Sequence, residues 1–323
     1  MADATASENR SADSRRRMST AMALWRLSRP SFSFWLLGVP MIGWGFAHWD
    51  RAIDARNPGA IPWMLAAWYL LSAATLWLNA ALDEDEGGAL FAAKTPRPKH
   101  VDRWGYAGLA LSVALAAKAG LGVFVCCAIC AVMSVFYSHP KTMWKGHPIL
   151  GPMVNVVGYG VLSMLAGWWV AGVKMNLRTA LSFAMLSTWI LGIFFAAQAF
   201  QHDDDARRGY RTMVVTHGPQ GALKAGRICM TAAALSFFTL TAIGFFPRWC
   251  LLSFPLFVVS DVHLAKWQKQ PGGGTASWAN GYVKRILVAA IMTMVLAYVD
   301  YFFADRRGEP VCGLGTAVGR PTD

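Results

Sequence analysis

The sequence has few charged residues and lacks the common motifs of soluble enzymes. Only 15% of its 323 residues are Asp, Glu, Lys or Arg, against about 25% in soluble globular domains. No G-x-S-x-G, H-E-x-x-H or dinucleotide-binding glycine motif occurs in it. These absences argue against a soluble hydrolase, a zincin-type metalloprotease and a nicotinamide-dependent dehydrogenase.

Cysteine and histidine do not form the patterns of a disulfide framework or a zinc site. No histidine pairs with a cysteine or a second histidine at zinc-like spacing. Clear internal repeats are absent too, which disfavours an inverted-repeat transporter. Most of the six cysteines lie inside apolar runs, where small packing residues are expected: Cys126, Cys127, Cys130, Cys229 and Cys250.

Long apolar runs dominate the chain, which is 55% hydrophobic with a mean hydropathy of +0.36. A run of about 20 apolar residues spans a bilayer as a helix. The sequence therefore predicts an all-α, multi-pass transmembrane bundle over residues 31–304. A polar, disordered cytoplasmic tail is expected at 1–30 and a second polar tail at 305–323. Nine segments are predicted to span the membrane: 31–48, 61–82, 104–118, 121–138, 148–172, 180–200, 227–246, 249–263 and 285–304.

The net charge of +12 would suggest nucleic acid as a partner in a soluble protein. Here the basic residues concentrate in alternate loops, as the positive-inside rule of membrane proteins describes, so no nucleic acid is expected. With the adjoining Arg227, the segments predicted to be cytoplasmic hold 21 of the 30 Lys and Arg residues. Those segments are the N-terminal tail and the loops near 83–103, 139–147, 201–226 and 264–285.

Acidic residues are concentrated at two points of the chain. Seven of the 18 lie in Asp83-Glu84-Asp85-Glu86 and Asp203-Asp204-Asp205. Both clusters directly follow an apolar run on the predicted cytoplasmic side. Because charge at the edge of the hydrocarbon is costly, this placement indicates function.

The first cluster has the composition of a magnesium–diphosphate site. Asn79 and Asp83 are four residues apart and share a helix face. The loop that follows carries Lys94, Arg97 and Lys99. Magnesium takes one or two carboxylates together with phosphate oxygens, and basic side chains neutralise the remaining phosphate charge.

The second cluster allows two interpretations. Asp203 and Asp204 each have an arginine four residues later, so i, i+4 ion pairs are an alternative to metal binding. Asp205 has a glycine there instead and is the firmest candidate ligand. It also belongs to a polar stripe with i, i+3, i+7 spacing that is formed by Gln198, Gln201 and Asp205.

Two acidic motifs about 120 residues apart at cytoplasmic helix ends resemble those of the UbiA superfamily of intramembrane prenyltransferases. The first family motif reads N-D-x-x-D-x-x-x-D and precedes an R-P pair. Asn79, Asp83 and Arg97 match it, while Ala80 and Gly87 replace the other two aspartates.

The second family motif reads D-x-x-x-D-x-x-x-G-x-x-T. Asp205, Gly209 and Thr212 match it, while Gln201 replaces the first aspartate. Between the two motifs, a Y-S-x-P segment with following lysines and an asparagine is also similar to the family: Tyr137, Ser138, Pro140, Lys141, Lys145 and Asn155.

The resemblance implies an Mg²⁺-dependent transfer of an isoprenyl group from its diphosphate to a hydrophobic acceptor, aromatic or lipid. It also implies a location in the bilayer, here a bacterial inner membrane with the N-terminus and active site cytoplasmic. Catalytic roles fall on Asn79, Asp83 and Asp205, and metal binding on the same three with Asp85 and Asp203. The substrate-binding candidates are Lys94, Arg97, Tyr137, Lys141, Lys145, Asn155 and Arg211.

Two alternatives stay open from the sequence. A terpene cyclase on the same scaffold would trap the carbocation with the substrate's own alkene. A cation transporter or a non-enzymatic membrane protein would place acids in mid-span, whereas this sequence has them at span ends beside basic loops.

Overall fold

All regular structure in the described part of the chain is helical. The computed structural model describes residues 18–48, 57–82 and 95–307. A π-helical segment, Val156–Ser163, joins the seventh and eighth helices. The helices are α1 (Thr20–Leu27), α2 (Pro30–Leu36), α3 (Gly38–Ala47), α4 (Ala60–Leu82), α5 (Val101–Ala119), α6 (Leu121–Ser138), α7 (Leu150–Asn155), α8 (Met164–Ala171), α9 (Leu177–Gln198), α10 (His202–Arg207), α11 (Met213–Ala242), α12 (Phe254–Trp267) and α13 (Ala276–Arg307).

The multi-pass transmembrane bundle predicted from the sequence is confirmed. The predicted segment 31–48 consists of two short helices, α2 and α3, and the segment 104–118 lies in the 19-residue α5. Within the described ranges, seven helical segments are long and apolar enough to cross a membrane: Ala60–Leu82, Leu121–Ser138, Leu150–Ala171, Thr179–Arg207, Met213–Ala242, Arg248–Trp267 and Ala276–Asp300.

Several helices begin before the apolar runs that predicted them. Helix α11 begins 14 residues ahead of the predicted boundary at 227, and α13 begins at Ala276 rather than 285. The predicted disordered tail 1–30 is also too long, because α1 starts at Thr20 and buries Leu24, whose carbonyl accepts a hydrogen bond from the Trp77 indole at 2.8 Å. Hydropathy marks only the part of a helix in hydrocarbon, so polar helical turns outside the membrane escape it.

Helix α4 carries a row of side chains that hydrogen-bond to other helices. Positions 68, 72, 75 and 79 follow i, i+4, i+7 and i+11 spacing and share one face. Trp68, Ser72 and Thr75 bond to side chains of residues 163, 33 and 134 at 2.9, 3.0 and 2.9 Å. Such bonds hold membrane helices together without a hydrophobic driving force, and here they fix the rotation of α4 and hence the direction of Asn79.

Contacts between loops bring the predicted cytoplasmic segments to one end of the bundle. The Arg211 backbone N–H donates to the Gly146 carbonyl at 2.8 Å. The Gln220 side-chain amide donates to the Gln270 carbonyl at 2.9 Å. These bonds join three of the predicted loops, and the end where Asp205 lies is called the active-site end below.

Candidate active site

The local fold around Asp205 explains the D-x-x-x-G-x-x-T spacing of the second motif. Helix α10 ends at a glycine C-cap: Gly209 has φ +71, and the Tyr210 N–H donates to the Asp205 carbonyl at 3.0 Å. This turn brings Thr212 back so that its hydroxyl donates to Asp205 Oδ2 at 2.8 Å. The Asp205 carboxylate is therefore held in one orientation, with only 8% of the residue exposed.

A buried lysine lies beside this turn. Lys145 belongs to a short 3₁₀ turn, Trp144–Gly146, that is joined to the second motif by the Arg211–Gly146 backbone bond. Its Nζ lies 5.6 Å from the centre of the Tyr210 ring, and the guanidinium carbon of Arg208 lies 6.0 Å from the same ring. Tyr210 therefore offers its ring face to two cations.

The environment of Lys145 suits it to bind an anion. Burial lowers the pKa of Lys145 to about 8, and the nearby charge of Arg208 acts in the same direction, while Asp205 opposes both. A buried ammonium with few water contacts interacts strongly with a phosphate that reaches it.

Residues of the Y-S-x-P segment connect the two acidic motifs. The Ser138 hydroxyl donates to the Asn79 side-chain oxygen. The adjacent Tyr137 lies near Asn155 and within electrostatic range of Asp205. The end of α6 thus contacts the first motif through one residue and approaches the second through its neighbour.

Other predicted binding residues have exposed side chains. Arg97, Lys141 and Arg211 are exposed, and Arg211 enters the site through its backbone N–H only. Exposed cations of this kind attract an anionic substrate at long range rather than hold it in one geometry. Asp83, Asp85 and Lys94 lie outside the described residues.

The other two aspartates of the second cluster lie at the surface. Asp203 is 93% exposed and its carboxylate bonds to His202 at 2.8 Å. Arg207 forms its ion pair with Asp204, three residues before, and not with Asp203, the i, i+4 pair that the sequence left as an alternative to metal binding. The guanidinium instead donates from Nε to the Asp203 backbone carbonyl at 3.3 Å. Arg207 is the last of only six residues in α10, and its side chain folds back over the single preceding turn, where Asp204 is within reach.

The polar stripe predicted from Gln198 to Asp205 does not lie on one helix. A 3₁₀ turn, Ala199–Gln201, separates α9 from α10. Gln198 is nevertheless 8% exposed, and within the described chain its Oε1 has no hydrogen-bond partner. A buried carbonyl oxygen without a donor marks a position where a ligand can donate a hydrogen bond.

The oxygen donors at this end fit magnesium. The described residues contain no group of three or more His, Cys, Asp or Glu arranged for a metal ion. Asp205 and Asn79 supply a carboxylate and an amide oxygen, and Mg²⁺ binds to few protein oxygens when phosphate oxygens complete its octahedron. This set has neither thiolate nor paired imidazoles, so it favours a hard cation.

Three residues that contact Asn79 or surround Lys145 were not predicted as site residues from the sequence. Ser138 has a signal, since it stands within the Y-S-x-P segment, but its bond to Asn79 depends on how α4 packs against α6. Arg208 and Tyr210 lie between the matched positions of the second motif. Nothing in their spacing indicates that both contribute to a group around Lys145.

An apolar cavity of about 100 Å³ lies inside the bundle between α3, α9, α11, α12 and α13. Trp189 of α9 stands nine residues before Gln198, about 13 Å along the helix. Five aromatic side chains contribute to the lining: Phe46, Trp189, Phe237, Phe257 and Tyr298.

Comparisons with known proteins identify the family of the chain and relatives that share its fold. The sequence model of the UbiA prenyltransferase family matches residues 38–278. A search of curated protein sequences found no significant match.

Solved structures share the fold at low sequence identity. A UbiA homologue from Archaeoglobus fulgidus bound to DMAPP and Mg²⁺ has a TM-score of 0.65 and 17% identity, covering 86% of this chain and 98% of its own. The apo structure of a UbiA homologue from Aeropyrum pernix K1 has a TM-score of 0.62 and 17% identity, with coverages of 84% and 98%. A digeranylgeranylglyceryl phosphate synthase structure has a TM-score of 0.60 and 16% identity, with coverages of 87% and 99%.

Proposed function

The chain belongs to the UbiA prenyltransferase family, and from that premise we propose that it transfers an isoprenyl group from an isoprenyl diphosphate to a hydrophobic acceptor. The observation that carries the proposal is the buried group at the active-site end, where Lys145 lies beside the Tyr210 ring and within electrostatic range of the buried Asp205. A cation and a carboxylate buried together suit a ligand that combines phosphate with a bound metal ion.

Each residue of the group has a role in binding the diphosphate. Asp205, held by Thr212, and Asn79, held by Ser138, would hold Mg²⁺ together with Asp83 from the sequence motif. Bound Mg²⁺ would neutralise charge on the leaving diphosphate. Lys145 would bind to a phosphate oxygen directly.

In the reaction the allylic carbon–oxygen bond breaks and the diphosphate leaves with the electron pair. A nucleophilic atom of the acceptor then bonds to that carbon and loses a proton. Lys145 would stabilise the charge that develops on the leaving group, because its buried ammonium is positioned beside Tyr210 before the bond breaks. Homologous structures bound to DMAPP or GPP with Mg²⁺ support this substrate class.

The apolar cavity suits the isoprenyl chain. Its aromatic and aliphatic lining would bury the hydrocarbon tail of the substrate away from water. Trp189 in this lining stands about 13 Å along α9 from Gln198, a distance that a chain of several isoprene units covers. The active-site end is proposed to face the cytoplasm of a bacterial inner membrane, following the bias of basic residues.

Product analysis tests the function. Purified protein in detergent is incubated with Mg²⁺ and isoprenyl diphosphates of about ten to forty carbons, with and without a membrane lipid extract as acceptor. Prenylated products that require the extract, with release of inorganic diphosphate, are expected. Cyclic hydrocarbons formed without any acceptor would identify a terpene cyclase instead. No diphosphate release under either condition would refute both activities.

The pKa of Lys145 predicts how substrate binding depends on pH. The ammonium form binds to the diphosphate, so KM for the isoprenyl diphosphate should rise as pH passes about 8, by about tenfold per pH unit well above that pKa. Lys145→Arg should abolish the rise, because a guanidinium stays protonated. KM is measured from pH 6.5 to 9.5 (roughly the range that brackets this pKa).

Lys141→Arg is the matched control for this experiment, since Lys141 is exposed at the same end. It should keep the wild-type profile. Ionisation of the substrate affects the wild type and both variants equally. If KM depends on pH in Lys145→Arg as it does in the wild type, Lys145 does not bind to the diphosphate.

A further inference from the structure

A groove of about 750 Å³ runs along the outer surface of the bundle, away from the active-site group. It lies beside α11, with Gln268 from the end of α12 at its edge. The Gln220–Gln270 hydrogen bond fixes its polar end at the active-site end of the bundle. The groove is therefore open to the membrane and adjoins one interface.

Polarity changes along the groove as it does along a phospholipid. Gln220, Lys224 and Arg227 line the part near the interface, and Ile228 and Leu235 line the deeper part. Ile228 and Leu235 are 60% and 62% exposed. Gln220 to Leu235 covers about 22 Å of helix, which is about half of a bilayer that is 40–45 Å thick with its headgroups.

An ion pair lies at the transition between the two parts. Arg227 donates to Asp261 of α12 through Nε and Nη2 at 2.7 and 2.8 Å, and this pairing does not use Nη1. The two side chains are 40% and 39% exposed, so the pair faces outward about 9 Å from the end of α12. An ion pair this far from the helix end is stable in a membrane only where polar groups reach it. The groove leaves room for the polar headgroup of a lipid to reach the Arg227–Asp261 pair.

We propose that this groove binds an anionic phospholipid of the leaflet next to the active-site end. Its phosphate lies between Lys224 and Nη1 of Arg227, and an acyl chain extends along Ile228 and Leu235. Charge selects the headgroup: Lys224 and Arg227 outnumber Asp261, and no described residue that lines the groove is acidic. The Asp261 carboxylate beside the groove is already paired with Arg227, so it offers little to the amine of a zwitterionic lipid.

Thermal unfolding with added lipid tests the proposal on the full chain in detergent. Phosphatidylglycerol should raise the unfolding temperature more than phosphatidylcholine with the same acyl chains. Lys224→Glu should weaken the apparent affinity for phosphatidylglycerol by about tenfold or more, because one cation becomes an anion near the bound phosphate. The apparent affinity of Lys224→Gln for phosphatidylglycerol should lie between those of the wild type and Lys224→Glu. Native mass spectrometry counts the lipid molecules that each protein retains.

Lys118→Glu is the matched control, since Lys118 is an exposed lysine in the last turn of α5 at the other end of the span. It should respond to phosphatidylglycerol as the wild type does. Inorganic phosphate alone should give little stabilisation. Equal responses to the two lipids, equal affinities in wild type and Lys224→Glu, or full stabilisation by inorganic phosphate would each overturn the proposal.

Discussion

Replacing Asp205 with asparagine should lower turnover of an isoprenyl diphosphate by about 10²- to 10³-fold. Charge stabilisation at the metal–diphosphate site contributes several kcal/mol, and about 1.36 kcal/mol is a factor of ten in rate. Asparagine has nearly the same shape, and its oxygen can still accept the Thr212 hydrogen bond. The folded bundle should therefore persist, which the thermal unfolding temperature in detergent checks alongside kcat.

Asp204→Asn is the control for this experiment, because it removes the same charge one residue away. Asp204 pairs with Arg207 at the surface, and an exposed helix pair contributes about 0.3–0.5 kcal/mol. Its turnover should change less than about twofold. Wild-type turnover in Asp205→Asn, or an equal loss in both variants, would remove Asp205 from the metal site.

Chelation of divalent metal should reduce turnover to background, and Mg²⁺ should restore it. Without a bound cation the Asp205 carboxylate would repel the diphosphate rather than stabilise it, so turnover should need the metal that Asn79 and Asp205 would hold. The unfolding temperature without substrate should hardly change, because helix packing and not the metal holds the described bundle together. Diphosphate release measured against free Mg²⁺ concentration gives the half-saturating value.

Ser138→Ala tests whether Asn79 acts at this metal site. The Ser138 hydroxyl donates to the Asn79 oxygen, and loss of a group that orients a ligand typically weakens metal affinity about 10- to 100-fold. The half-saturating Mg²⁺ concentration should rise within that range and kcat at saturating Mg²⁺ should change less. Full turnover in the presence of chelator would contradict the metal site as a whole.

The membrane architecture was predictable because it depends on local composition. Each apolar run identified from the sequence lies in helical structure, although 31–48 is divided between α2 and α3, and boundary errors occur where a helix continues into polar residues, as α11 does at Met213. The π-helical segment Val156–Ser163 is different. This segment packs so closely on α9 that a Cβ on Gly160 would collide with Ser187, and hydropathy carries no information about such a contact.

The sequence also distinguished Asp205 from its neighbours, because a glycine and not an arginine stands four residues later. The structure gives that glycine a further role: it adopts the left-handed turn that brings Thr212 to the carboxylate. Arginines after Asp203 and Asp204 left surface ion pairs open as an alternative to metal binding, and both aspartates are at the surface. The ion pairs that form have other partners than the i, i+4 spacing suggested, because pairing of exposed side chains depends on the length and end of α10.

The sequence by itself determined that the chain is a membrane bundle and which acids stand at helix ends. Hydrophobic burial and turn chemistry act over a few residues, so they can be read locally. Only the tertiary structure decided that Lys145 is buried beside Tyr210 and that Ser138 holds Asn79. Those contacts join residues about 60 positions apart, and the environment of a charge depends on every helix end packed around it.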